Sequence, residues 1–123
     1  MKLRFRKNSL RLRVNQREVA ELAAGEAVEE QVSFPGQTRF SYVLRSSELS
    51  HPQASYSEGE LLVSAPRQAI CRWASTDEIG IYFELPADGM PLKIAIEKDL
   101  ECLDGPVEER DPFAFPRPDE KTC

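Results

Sequence analysis

The chain has one histidine, one tryptophan and three cysteines among 123 residues, and each scarcity closes off a class of function. His51 stands before Pro52 in a polar loop, with no partner residue that would make it a catalytic base. Cys71, Cys102 and Cys123 are odd in number and lack CxxC spacing, which argues against a disulfide framework and against a zinc site. That usage points to a reducing, cytoplasmic setting. No apolar run approaches the roughly 18 residues of a membrane helix. The charged opening is not followed by the apolar stretch of a secretion signal. Neither a glycine-rich phosphate loop nor a GxSxG elbow is present. No cofactor is expected, and the balance leans away from an enzyme.

The remaining cysteines carry little chemistry. Cys71, between Ile70 and Arg72, reads as a packing residue on a helix. Acidic neighbours in DLECLD disfavour a Cys102 thiolate, and Cys123 is the last residue. Asp99, Glu101 and Asp104 could face a hard cation, yet the spacing of a calcium loop is missing. No metal is expected there.

What the chain does have is charge, unevenly placed. The formal net charge is -5, but residues 1–17 hold only bases: Lys2, Arg4, Arg6, Lys7, Arg11, Arg13 and Arg17. Acids dominate from Glu97 onward, with Asp99, Glu101, Asp104, Glu108, Glu109 and Asp111 in close succession.

Alternation in KLRFRK at 2–7 and SLRLRV at 9–14 predicts a β-hairpin turning at Asn8-Ser9. Its inner face is Leu3, Phe5, Leu10, Leu12 and Val14; its outer face is Lys2, Arg4, Arg6, Arg11 and Arg13. Asn15 with Glu18 three residues on forms a capping box for a helix that Gly25 ends. Strands at 27–34 and 38–45 follow, then a polar loop at 46–59 with a short strand near Tyr56. A strand at 60–65, a helix at 66–75 and strands at 79–85 and 92–98 complete the pattern.

The second round repeats the first at an offset of 51 residues. Leu12 matches Val63, Leu22 matches Trp73 and Val28 matches Ile79. Two related strand–helix–strand–strand halves would produce that register. The expected fold is α+β: a mostly antiparallel sheet of about seven or eight strands with two short helices on its apolar face. A partly closed barrel is the variant, its interior lined by charge in the style of triphosphate-tunnel enzymes, although their alternating-glutamate opening strand is absent. The core should hold Leu3, Phe5, Leu10, Leu12, Val19, Leu22, Val32, Ile70, Trp73, Ile79, Ile94 and Ile96. One domain is expected over 1–98, followed by an acidic, proline-rich tail over 99–123 that docks on it.

Cations on adjacent strands repel one another unless anions sit nearby. Glu29, Glu60, Glu84 and Glu97 on other strands, the acidic tail, or an external phosphate could each supply them. Arg4, Arg6, Arg11 and Arg13 are therefore the candidate anion-binding residues. A nucleic-acid partner is disfavoured by the negative net charge and by the lack of aromatics among the cations. The leading expectation is a non-catalytic binding or interaction module, as a homodimer or with another protein, using the basic face or an exposed sheet edge. The alternative is a domain that binds a phosphorylated small molecule or polyphosphate on the basic hairpin face, with or without enzymatic activity.

KLRFRKNSLRLRV at 2–14, EV at 18–19, IEKDLECLD at 96–104 and ERDPFAFP at 109–116 resemble the opening and closing segments of a small family of uncharacterised bacterial proteins. The resemblance implies a stand-alone domain whose tail belongs to the fold, and it transfers no catalytic residue. Lys7 departs from that pattern, which has a glycine in the turn.

Overall fold

A computed structural model describes residues 1–100 and 112–116. Its order is β1 (Lys2–Arg6), β2 (Ser9–Val14), α1 (Gln16–Ala23), β3 (Val28–Phe34), β4 (Thr38–Ser47), β5 (Gln53–Ser57), β6 (Glu60–Pro66), α2 (Arg67–Ser75), β7 (Gly80–Leu85) and β8 (Leu92–Lys98). The fold is α+β, but the strands divide into two four-stranded sheets where one was expected: β1-β2-β8-β7 and β3-β4-β6-β5. Among the described residues each sheet has two open edges and no barrel closes, so the tunnel variant is excluded. Hairpins pair antiparallel within each half, while the central pairs β2·β8 and β4·β6 are parallel.

The repeat is visible in this topology. Exchanging the halves maps β1-β2-β8-β7 onto β5-β6-β4-β3. Leu12 pairs with Ile96 as Val63 pairs with Leu44. The gap-free alignment holds over β1 to α1, set against β5 to α2, and then slips. Val28 lies opposite Leu44, and its structural counterpart opposite Ile96 is Ile81, not Ile79. Two more residues separate Trp73 from Ile81 than separate Leu22 from Val28, which a gap-free comparison cannot register.

One cluster of buried side chains unites sheets and helices: Leu10, Leu12 and Val14 from β2, Val19 and Leu22 from α1, Val28 from β3, Leu44 from β4, Leu61, Val63 and Ala65 from β6, Ile70 and Trp73 from α2, and Ile94 and Ile96 from β8. The central strands supply most of it because both their edges are paired and their inner face is covered by the helices. Edge positions are different. Phe5, Val32 and Ile79, expected in the core, are 60%, 44% and 39% exposed. Alternation assigns a face to a residue but does not say whether a helix reaches far enough to cover it. Cys71 is likewise exposed rather than packed.

Local signals were more exact. Asn15 accepts from the Glu18 amide at 2.9 Å, and Glu18 accepts from the Asn15 amide at 2.9 Å, completing the capping box. The first hairpin turns one residue earlier than expected, at Lys7-Asn8, with Lys7 at φ 52°. Its counterpart in the second half is Glu58-Gly59, at φ 51° and 81°.

Candidate anion-binding groove

Strand pairing alone arranges the outer face of the first sheet in rows. Lys2, Arg13, Glu97 and Gly80 form one; Arg4, Arg11, Ala95 and Tyr82 the next; Arg6, Ser9, Lys93 and Glu84 the third. Neighbours across a row stand about 5 Å apart, and successive rows are two residues, roughly 7 Å, along the strands. Ser9 and Ala95 are small and lie at the centre of the last two rows. The larger side chains around them leave a groove of about 420 Å³, walled by Arg4, Arg6, Arg11, Tyr82, Glu84 and Lys93. That volume suits a small-molecule ligand.

The predicted cations divide into two groups. Arg11 Nε lies 3.1 Å from Glu97 Oε1 and Arg13 Nε 3.8 Å from the same oxygen, while Lys2 Nζ meets Asp99 Oδ2 at 2.8 Å. These three have carboxylate partners within the sheet or directly after it. Among the described residues, no carboxylate comes within ion-pair distance of Arg4, Arg6 or Lys93. Of the four glutamates expected to interleave with the hairpin, only Glu97 does so; Glu29 and Glu60 belong to the second sheet. Glu84 borders the groove opposite Lys93.

Tyr82 was missed by sequence reasoning. Its hydroxyl donates to Glu97 Oε2 at 2.7 Å, and the ring reaches there by crossing Gly80, where a Cβ would stand 2.6 Å from the hydroxyl oxygen. Gly80 thus lets an aromatic ring lie along the sheet beside the cations. Partial burial, then the hydrogen bond and charge of Glu97, raise the Tyr82 hydroxyl above its ordinary 10.0, with Arg11 pulling the other way. Lys93 was also missed, because its strand was read only for its apolar alternation. The signal was the parallel β2·β8 pairing, which a sequence of alternating strands does not reveal.

Acids Glu101 to Asp111 lie outside the described residues, as do Cys102 and Cys123. The described part of the tail sits at the end of the sheet far from Arg6 and Lys93. Gln16 N donates to Phe113 O at 2.9 Å, Phe115 N to Asp99 O at 2.7 Å, and the Arg17 guanidinium lies 4.2 Å over the Phe113 ring. Asp99, one of the three candidate cation ligands, is buried and committed to Lys2. His51 is exposed. Among the described residues no group of three His, Cys, Asp or Glu side chains could hold a metal ion, and no helix is long and apolar enough to cross a membrane.

The second sheet provides an internal comparison. The positions equivalent to Arg4, Arg6, Arg11 and Arg13 are Ser55, Ser57, Leu62 and Ser64, and the equivalent of Lys93 is Ser41. A sheet of the same topology therefore forms without those cations.

No curated protein and no solved structure matches the chain. A family model described as a family of unknown function, DUF7009, matches residues 1–119, and the chain belongs to that family.

Proposed function

We propose that this protein is a small binding domain whose ligand is an anion, held in the groove by Arg4, Arg6, Arg11 and Lys93, with Arg13 reinforcing the field from the adjoining row. The observation that carries this reading is the contrast between the two sheets. One topology is built twice, and only one copy concentrates cations around a concave floor, three of them without a carboxylate partner among the described residues. Charge that the fold does not require, and that repels itself, is best explained by an external counter-charge.

Two rows of cations about 7 Å apart favour a ligand with more than one anionic centre. A phosphorylated small molecule or a short polyphosphate has that form, and the guanidinium fork matches phosphate oxygens well. The function is binding, not turnover, in a cytoplasmic setting where such ligands are abundant.

The test is thermal unfolding at low salt with orthophosphate, tripolyphosphate, nucleotides and sugar phosphates. A ligand present at a hundred times its Kd adds about 2.7 kcal/mol of stability, a shift of several degrees. Stabilisation should fall as salt rises and disappear in the Arg4→Ser/Arg6→Ser/Lys93→Ser variant. If no anion stabilises the wild type, or the variant responds equally, the groove is not an anion site.

A further inference from the structure

Among the described residues, four strands form the open edges of the two sheets: β1, β7, β3 and β5. Edge strands expose unpaired backbone groups, and charged side chains on them ordinarily discourage pairing with another chain. β1 carries Lys2, Arg4 and Arg6; β3 carries Glu29 and Glu30; β7 carries Glu84. β5, with the sequence QASYS, carries no charge at all. At the positions where β1 has its three cations, β5 has Gln53, Ser55 and Ser57.

The direction of its free backbone groups follows from the neighbouring strands. Ser41 N donates to Gly59 O at 2.9 Å. Backbone direction alternates along a strand, so Gly59, Leu61 and Val63 turn toward β4, while Glu60, Leu62 and Ser64 turn toward β5. The residues opposite those three are Ser57, Ser55 and Gln53. They are bonded inward, and the amide and carbonyl groups of Ala54 and Tyr56 point out of the sheet.

We infer that β5 is a self-association edge, on which a second copy of this chain adds its own β5 antiparallel about a twofold axis at Ser55. That register sets Ala54 opposite Tyr56 of the second copy, and Tyr56 opposite its Ala54. Both are hydrogen-bonded pairs that exchange their N–H···O bonds in each direction. Small lies against large on the apolar face, where Tyr56 is 66% exposed and stands 6.2 Å from the Phe40 ring. On the other face Ser55 meets Ser55, and Gln53 meets Ser57. No like charges oppose one another. The same operation on β1 would set Arg4 against Arg4, which is repulsive. The result is a continuous eight-stranded sheet, with a basic groove left open at the far side of each copy.

Sedimentation equilibrium over a concentration series tests this, using the full chain. A monomer–dimer equilibrium is expected, insensitive to salt, unlike anion binding in the groove. Ser55→Lys brings two ammonium groups together at the axis and should weaken association at least tenfold, about 1.4 kcal/mol. In a background with Cys71, Cys102 and Cys123 replaced by serine, Ser55→Cys should form a disulfide-linked dimer under mild oxidation. A central non-hydrogen-bonded pair has Cα atoms about 4.5 Å apart, within disulfide range. Ser57→Cys, whose two copies stand roughly 13 Å apart in this register, should not. Monomer at every concentration, or a dimer that Ser55→Lys leaves intact, overturns the assignment.

Discussion

Trp73 shows how a single side chain closes this fold. It is fully buried, and its indole Nε1 donates to Ile79 O at 2.9 Å. The same carbonyl accepts from Lys98 N at 2.9 Å, so Ile79 contributes through its backbone while its side chain stays exposed. Lys98 is buried as well. Its ammonium donates to Thr76 O at 2.8 Å and lies 5.5 Å over the Phe115 ring. Trp73→Ala removes the largest core side chain and leaves the Ile79 carbonyl short of a donor. The expected cost is about 3–5 kcal/mol, read as a lowered midpoint in urea with an unchanged slope. A near-neutral effect would contradict the packing described. The tryptophan's place was legible from its helical spacing with Ile70; the service done by the Ile79 carbonyl was not, since no side-chain pattern encodes it.

The two-residue hairpin turns decide the register of the elements they join. Lys7 and Glu58 occupy equivalent positions, and both take a left-handed backbone that glycine adopts at least cost. Lys7→Gly should therefore leave stability unchanged or raise it by up to about 1 kcal/mol. Gly59→Ala should do the opposite. Besides its φ of 81°, the new Cβ would stand 2.8 Å from Arg39 O, a backbone atom that cannot move without disturbing β4. Paired thermal melts should show Gly59→Ala lowered and Lys7→Gly unchanged or raised; a destabilised Lys7→Gly would refute the strain at Lys7. Most elements were legible because their signals are local: alternation for β1 and β2, the capping box for α1, the Pro-Gly turn between β3 and β4. What escaped was which strands become neighbours. Nothing in LKIAIEK says that Ile94 will lie beside Leu10 in parallel, and that pairing alone brings Lys93 to the groove.

At the scale of the whole molecule, the pseudo-twofold separates what the fold needs from what the first sheet adds. The second sheet has Ser55, Ser57 and Ser41 where the first has Arg4, Arg6 and Lys93, and its centre is as well buried: Leu44 and Val63 are both fully inaccessible. The Arg4→Ser/Arg6→Ser/Lys93→Ser variant thus copies a solution the chain already uses. Two effects compete in it. Serine is a weaker strand former, and the arginine stems lose what they cover. Against that, Arg4 no longer faces Arg11 directly across the hairpin, and the repulsion between unit charges some 7 Å apart, about 0.6 kcal/mol each in water, is relieved. The two are of similar size, so unfolding free energy should stay within about 1 kcal/mol of wild type. Its salt dependence should be the clearer signature. Wild-type stability should rise as salt screens the cations, and the variant should rise less. A variant that loses several kcal/mol would mean the cations belong to the architecture, and the contrast between the two sheets would no longer point to a ligand.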